Sequence, residues 1–192
     1  MNHIDRHIDD HIQTIERLRD QGAEIESIAT AMIDCLSVGG CVFWLGNGGS
    51  AADSQHLAAE LVGRFERERG GLASIALTTD SSALTAIGND LGFDQIFARQ
   101  VEALCRPPDL VIGISTSGNS HNVLRAIETA RENAIETVGL SGRDGGQLCT
   151  LANTCLVVPS TNTARIQEAH ILVGHILCDM VERHFVQQRP RG

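Results

Sequence analysis

The stretch GNGGSAADSQHLAAELVGR, from Gly46 to Arg64, decides the fold. It follows the apolar run 41–45, passes through a glycine turn and becomes helical at Ser50. Glycines let backbone N–H groups approach a phosphate, and the helix N-terminus adds partial positive charge. Ser50 is a fitting N-cap. The stretch fits neither GxxxxGK[ST] nor GxGxxG, so the alternatives are a different anion site or a turn that only closes a β–α connection.

Four polar side chains on two helices are candidates for chemistry. His56 and Glu60 are four residues apart and share a helix face, as a metal pair, an acid–base pair or a plain surface ion pair. On the last helix, Gln167 and His175 lie about 12 Å apart along the axis and about 80° apart around it. Either long side chains converge, or one of them comes from a neighbouring subunit. His170, on the same apolar helix, is predicted to be structural.

Composition excludes several classes of function. The chain has 192 residues, which predicts one domain. Its formal net charge of −9 argues against nucleic-acid or membrane-surface binding. All 15 basic residues are Arg, so Schiff-base lysine chemistry is excluded, while Arg suits phosphate binding. The polar N-terminus is unlike a signal peptide, and no apolar run approaches 18 residues.

The cysteines and the N-terminal histidines have ordinary explanations. No CxxC pair is present, so we predict six reduced, mostly buried thiols in a cytoplasmic protein. His3, His7 and His11 repeat every four residues beside an apolar helical stripe. That ladder predicts a solvated face rather than a metal site, because neither a carboxylate nor a cysteine completes it.

The remaining chain alternates short apolar runs with helical patterns, which predicts a five-stranded parallel sheet covered by helices on both faces. We expect one domain over 1–192, with a helical hairpin over 1–38, an α/β core over 39–186 and a polar tail over 187–192. The exposed apolar face of the hairpin is a candidate subunit contact. The predicted strands are 41–45, 72–77, 109–114, 135–140 and 154–158. The predicted helices are 3–20, 23–38, 50 onward, 82–87, 94–104, 121–133, 147–151 and 163–185.

A second polar turn follows the third strand. Residues 115–120, STSGNS, offer four hydroxyls at a helix start: Ser115, Thr116, Ser117 and Ser120. Hydroxyls and backbone N–H groups bind a phosphate dianion without Lys, although capping alone is the alternative. Ligands of parallel α/β sheets bind at the carboxyl ends of strands. Two such turns at those ends favour a phosphosugar pocket.

Five segments together resemble the phosphoheptose isomerases, the sedoheptulose-7-phosphate isomerases of the SIS (sugar isomerase) fold. They are GNGGSAADSQHLAAELVGRF, TTDSSALTAIGND, GISTSGNSHNV, SGRDGG and TARIQEAHILVGHILCDMVE. The resemblance covers nearly the whole chain. It implies a three-layer, flavodoxin-like α/β fold and conversion of D-sedoheptulose 7-phosphate to D-glycero-D-manno-heptose 7-phosphate through an enediolate, the first step toward nucleotide-activated heptose.

The resemblance also implies roles for individual residues. Glu60 and His175 match the catalytic pair. The metal ligands, for one Zn²⁺ per subunit, match His56, Glu60, Gln167 and His175. The substrate-binding residues match Asn47, Gly48, Gly49, Ser50, Glu60, Arg64, Asn89, Asp90, Ser115, Thr116, Ser117, Ser120 and Gln167. The family is a homotetramer with active sites shared between subunits.

Two features bear on whether the chain is an enzyme. Some members have Asp directly before the RIQE motif, where this chain has Ala164; we expect activity to survive because Glu60 and His175 are present. Some close relatives are non-catalytic tetrameric scaffolds that bind a replication initiator protein, and these replace the catalytic pair. A sugar-sensing transcription factor would need a helix-turn-helix with a basic face, which the N-terminal hairpin does not offer.

Overall fold

The computed structural model describes residues 2–187, which form one five-stranded sheet and eight α-helices. The strands are β1 (Val42–Gly46), β2 (Ser74–Ala76), β3 (Leu110–Ser115), β4 (Glu136–Gly142) and β5 (Thr154–Val158). The helices are α1 (His3–Leu18), α2 (Gly22–Ser37), α3 (Gly49–Val62), α4 (Ser81–Asp90), α5 (Ala98–Leu104), α6 (His121–Glu132), α7 (Leu148–Leu151) and α8 (Thr163–Gln187). Short 3₁₀ turns cover Arg19–Gln21 and Phe93–Gln95.

The sheet is parallel throughout, in the order β2-β1-β3-β4-β5, which confirms the predicted fold class. Both β1 and β3 are buried along their whole length, as expected of strands covered on two faces. Their register pairs Gly46 with Ile114 at the carboxyl end. The chain order reverses between β1 and β3, and ligands of open α/β sheets bind at such a point. The two polar turns leave the sheet there, side by side.

Two apolar clusters, one on each face of the sheet, make the three layers. One cluster joins α2, α3 and α8 to the sheet through Trp44, which is fully buried and donates its Nε1 hydrogen to Ser74 Oγ at 2.9 Å. The other cluster joins α5, α6 and α7 to the opposite face. The two predicted N-terminal helices are present, and both α1 and α2 pack on α8. The α1 stripe of Ile4, Ile8 and Ile12 stays exposed.

Several element boundaries differ from the prediction by a few residues, among them those of α4, α5 and α8. Helix α4 runs on to Asp90, through the glycine expected to end it, because Asp80 caps its start and the Leu91 N–H still bonds to Ile87 O. Asp94 is no N-cap: it lies in a 3₁₀ turn, and α5 begins only at Ala98. Helix α8 continues to Gln187, and the rest of the predicted tail, 188–192, lies outside the described residues.

The prediction of six reduced thiols is wrong for one pair. Cys149 on α7 and Cys155 on β5 form a disulfide, with Cα atoms 5.1 Å apart. The turn between α7 and β5 folds this short helix back beside the strand and brings the two cysteines together. Their spacing in the sequence does not predict this contact. The four other cysteines are free, and burial raises the pKa of Cys35, Cys105 and Cys178 to about 12. Within residues 2–187, no helix is both long and apolar enough to cross a membrane.

Candidate active site

The first polar turn joins β1 to α3 and depends on glycine. Gly48 has φ +54° and is the N-cap of α3, a conformation that side chains rarely adopt. The prediction that Ser50 is the N-cap is therefore wrong. Ser50 lies inside the first turn of α3 and is 3% exposed. The N-cap is thus two residues closer to the strand than predicted, at a position whose positive φ favours glycine.

The second polar turn joins β3 to α6 and brings its hydroxyls together. Ser115 Oγ and Ser120 Oγ are 2.9 Å apart, and Ser117 Oγ accepts the Asn119 N–H at 3.2 Å. Ser120 is the N-cap of α6 but makes no side-chain capping bond, so capping does not occupy its hydroxyl. Gly118 has φ +66°, and a Cβ there would run into the Gly145 carbonyl, which holds the turn close to the 142–148 segment. The turn thus presents hydroxyls at a helix start, as phosphate sites do.

A pair of amides fastens the two polar turns to each other. Asn47 Nδ2 donates to Asn122 Oδ1 at 2.8 Å, and Asn122 Nδ2 donates back to Asn47 Oδ1 at 2.8 Å. Asn122 is 2% exposed. Asn122 is not among the predicted site residues; an asparagine just inside a helix that follows a hydroxyl-rich turn is the signal that could have found it.

Helices α3 and α8 meet closely enough to bring three predicted residues together. A Cβ added at Gly174 would lie 2.5 Å from Leu57 Cδ2, so this contact requires glycine. Beside it, His56 Nε2 and His175 Nε2 are 2.9 Å apart, and Glu60 Oε1 is 3.4 Å from His56 Nε2. Glu60 Oε1 and His175 Nε2 therefore lie within about 6 Å of each other, because both approach the same nitrogen.

Gln167, the fourth residue of the predicted metal set, lies elsewhere. Its Nε2 would be 2.6 Å from a Cβ at Gly49, so the amide sits over the first polar turn. Since Gly49 is seven residues before His56, about 10 Å of helix separates Gln167 from the histidine pair. The structure thus brings His56, Glu60 and His175 together within one chain and places Gln167 at the other end of α3. This agrees with the expectation that Gln167 and His175 are far apart on α8.

Two neighbours of the histidine pair were not predicted. Phe65 stacks on His175, with ring centroids 5.5 Å apart and planes at 26°. Asp53 lies one turn before His56; burial raises the pKa of its carboxyl, and the charges of His56 and His175 oppose that rise. The spacing of Asp53, His56 and Glu60 along one helix face is the signal that could have included Asp53.

The sugar-chain residues implied by the resemblance lie around these groups. Arg64 follows α3 directly and is exposed. Asn89 and Asp90 end α4, also exposed, with Asn89 Nδ2 donating to Asp90 Oδ1 at 2.7 Å. A cavity of about 450 Å³ separates α4 from the first polar turn. Its lining includes Asn47, Gly48, Thr85 and Gly88. No contact joins Arg64, Asn89 or Asp90 to the histidine pair in this part of the chain, so their roles stay predictions.

The donor set of the cluster suits a zinc ion chemically. Two imidazole nitrogens and one carboxylate oxygen are ligands that zinc prefers. Two Nε2 atoms that lie 2.9 Å apart either share one proton in a hydrogen bond or both direct a lone pair at a common cation. Within residues 2–187, no three His, Cys, Asp or Glu side chains meet the geometry of a metal site. His56, Glu60 and His175 are the residues that could hold the ion, and Gln167 would have to move or act from another subunit.

His170 and the N-terminal histidines lie outside this cluster. His170 is fully buried and bonds to Ser141 O at 3.0 Å, and its burial lowers its pKa to about 4. In the N-terminal ladder, His3 and His7 are exposed neighbours, 3.2 Å apart between Nε2 atoms. His11 differs from the predicted solvated stripe, because it bonds to Glu168 of α8 at 2.7 Å.

Comparison with known proteins identifies the family of the chain. The family model described as SIS domain matches residues 6–142, more than half of the sequence. The phosphoheptose isomerase of Helicobacter hepaticus is 52% identical over 179 residues, which cover 93% of this chain and 91% of the relative. The chain belongs to the phosphoheptose isomerase family.

Solved structures agree with this membership. The phosphoheptose isomerase of Neisseria gonorrhoeae superposes with a TM-score of 0.89 at 44% identity, covering 94% of this chain and 97% of that one. The phosphoheptose isomerase of Francisella tularensis gives 0.91 at 40% identity, covering 95% and 100%. The family expected from the five sequence motifs is confirmed, with its fold.

Proposed function

We propose that the chain is an aldose–ketose isomerase that converts D-sedoheptulose 7-phosphate to D-glycero-D-manno-heptose 7-phosphate. The observation that carries the proposal is the meeting of Glu60 and His175 around His56, about two turns along α3 from the first polar turn. The name of the relatives, phosphoheptose isomerase, supports the choice of substrate. The intact catalytic pair favours an enzyme over the scaffold alternative, which no observation favours.

The polar turns would bind the charged end of the sugar. Ser115, Ser117 and Ser120 offer hydroxyls, with Thr116 between them, and the start of α6 adds its partial positive charge. Ser50 lies about 9 Å from His56 along α3, which is comparable with the length of an extended seven-carbon sugar phosphate. Phosphate at the turns would therefore leave C1 and C2 near Glu60 and His175. Arg64, Asn89 and Asp90 would bind the hydroxyls between.

The chemistry moves one proton between carbons and one between oxygens. Glu60, as carbon base, takes the proton from C1 of the ketose, and His175 delivers a proton to O2, which gives the enediol or its anion. The proton from Glu60 then returns to C2, while His175 takes the proton from O1 as the aldehyde forms. His56 holds the His175 imidazole through its Nε2 contact. All atoms balance without an oxidant or a reductant.

Zinc and assembly belong to the same proposal. When bound, Zn²⁺ would polarise the carbonyl of the sugar, and His56, Glu60 and His175 would hold it. A carboxylate bound to zinc is a weaker base, so the alternative role of the ion is to organise the site or the tetramer. A homotetramer in the cytoplasm is expected, and the exposed isoleucine stripe of α1 suits a contact between copies.

Turnover of sedoheptulose 7-phosphate by the purified chain tests the proposal. Proton NMR should show aldose signals growing at the expense of the ketose. Glu60→Gln and His175→Gln should each lower kcat by about 10²–10⁴-fold, because each removes an acid–base group. His3→Gln is the matched control: His3 is an exposed histidine on α1. Folding is checked by circular dichroism.

The outcomes separate the parts of the proposal. Absence of aldose from the wild type contradicts the function. Turnover near that of the wild type in one folded variant removes that residue from the mechanism. A parallel incubation with a chelator reports on zinc: loss of turnover that added Zn²⁺ restores supports a catalytic ion, and unchanged turnover contradicts it.

A further inference from the structure

A fully buried carboxylate holds the loop that follows α3. Glu182 of α8 is 0% exposed, and it accepts three consecutive backbone N–H groups, from Phe65 at 2.9 Å, Glu66 at 2.8 Å and Arg67 at 2.7 Å. The Arg69 guanidinium adds a cation, with its Nε 3.2 Å from Glu182 Oε1. Buried charges are rare unless they are paired and hydrogen-bonded, and here both conditions are met.

The charge of Glu182 is part of this arrangement. Burial raises the pKa of its carboxyl, but the three backbone donors and Arg69 outweigh burial, so the pKa lies below its ordinary value. The same loop is attached to α3: Arg69 Nη2 donates to the Glu60 carbonyl at 2.7 Å, and its Nη1 donates to the Leu61 carbonyl at 2.7 Å. One carboxylate thereby orders the end of α3 and the loop together.

This loop carries the ring that contacts the catalytic imidazole. Phe65, whose N–H bonds to Glu182, stacks on His175. His175 and Glu182 are seven residues apart on α8, which places them on one face, about 10 Å apart along the axis. The histidine and the carboxylate that holds its aromatic neighbour are therefore parts of a single helix. Arg64, implied to bind the sugar, immediately precedes the clamped residues.

We propose that Glu182 is a positioning residue of the isomerase, which fixes Phe65 against the His175 imidazole and sets the position of Arg64 by holding the backbone of residues 65–67. The inference rests on the proposed function. Released from Glu182, the loop would let the Phe65 ring leave His175, whose imidazole could then turn about its side-chain bonds. Small misplacements of a catalytic group are costly in rate.

Asp179 provides a matched control on the same helix face. Its carboxylate pairs with the Arg67 guanidinium at 2.7 Å and with Arg183 at 2.8 Å, and it accepts no backbone N–H of the loop in the described chain. Asp179→Asn therefore removes an acidic charge near the loop without releasing its backbone. Glu182→Gln removes both the charge and an acceptor of the backbone donors.

The kinetic test compares Glu182→Gln, Phe65→Leu and Asp179→Asn in sedoheptulose 7-phosphate turnover. Phe65→Leu should lower kcat about tenfold with KM nearly unchanged, because the backbone beside Arg64 stays clamped. Glu182→Gln should lower kcat at least as much and also raise KM, since Arg64 is released. Asp179→Asn should change neither. The double variant of Glu182→Gln and Phe65→Leu should have the kcat of Glu182→Gln alone, because the two residues act through one contact.

A second measurement needs no substrate and reads His175 directly. The Phe65 ring should shift the His175 ring protons upfield in a histidine-selective NMR spectrum, where His175 is the signal that His175→Gln removes. Phe65→Leu and Glu182→Gln should both abolish this shift, and Asp179→Asn should keep it. Phe65→Leu changes a half-buried side chain and keeps the inference testable if Glu182→Gln fails to fold.

The results overturn the inference in two ways. A folded Glu182→Gln protein with the kcat and the His175 shift of the wild type contradicts it. So does Phe65→Leu with unchanged kcat and an unmoved His175 signal, because the proposed link runs through that ring. A wild type that does not isomerise the sugar phosphate instead contradicts the proposed function, and the NMR comparison still reports whether Glu182 fixes the ring on His175.

Discussion

The polar turns and the α3–α8 contact build the site in different ways. Each turn is a local feature, read from a few consecutive residues, in which glycine and hydroxyl residues follow a buried strand. The histidine pair instead joins residues 119 positions apart, and it exists because Gly174 lets α8 approach Leu57. The binding half is thus encoded locally and the catalytic half by packing, so a packing change should damage catalysis more than binding.

Among changes in packing, the largest effect on turnover is expected from Gly174→Ala. The added Cβ would lie 2.5 Å from Leu57 Cδ2, so the two helices must separate or Leu57 must move. Overpacking of this kind costs about 1–3 kcal/mol of stability, and a displaced histidine costs about 10²-fold in kcat/KM. Steady-state kinetics with urea unfolding measures both.

The control for this prediction removes the clash between the added methyl group and Leu57. Adding Leu57→Ala to Gly174→Ala removes the branched end that the new methyl group meets, so kcat should recover relative to Gly174→Ala alone. If Gly174→Ala has the kcat of the wild type, the close approach of α3 and α8 is not what sets the geometry of the histidine pair.

A smaller effect, on binding rather than on catalysis, is expected from Asn122→Ala. Losing the reciprocal amide bonds leaves Asn47 unpaired between the two turns, which costs about 1–2 kcal/mol, or about tenfold in KM, with little change in kcat. Asn133→Ala is the matched control, since Asn133 ends the same helix α6 and its amide only donates to Thr129 O. A fall in kcat with unchanged KM would contradict the division between the two regions.

The contrast between these regions also explains what could be predicted from the sequence. The parallel sheet, the two N-terminal helices and both turns follow from short-range patterns, and glycine and hydroxyl residues mark the turns directly. The contacts of Phe65 and Glu182 join segments far apart in sequence, and no local pattern reports them. Helix α4 runs past Gly88 because one glycine weakens a helix without ending it.

Replacing His170 with glutamine should not change turnover, although His170 lies on the same helix α8 as His175. Its folded pKa of about 4 lies below the unfolded value near 6.5, so the unfolded chain binds a proton that the folded chain does not. The stability that neutral His170 contributes is fully present above about pH 6.5. About 3 kcal/mol of it is lost as the pH falls toward 4.

Unfolding experiments between pH 8 and pH 4 on the wild type and His170→Gln measure this contribution. Glutamine can still donate to Ser141 O but does not titrate, so the variant should lose less stability as the pH falls. His121→Gln, which removes an exposed histidine, should keep the pH dependence of the wild type. Equal slopes for the wild type and His170→Gln would contradict a buried neutral imidazole.

The most direct test of the account is a crystal structure of the Glu60→Gln protein with D-sedoheptulose 7-phosphate. We predict phosphate oxygens within hydrogen-bond distance of Ser115, Ser117 or Ser120, and C1 and C2 between residue 60 and His175, in one chain or across neighbouring subunits. A phosphate bound away from both polar turns, or C1 and C2 remote from His175, would contradict the account.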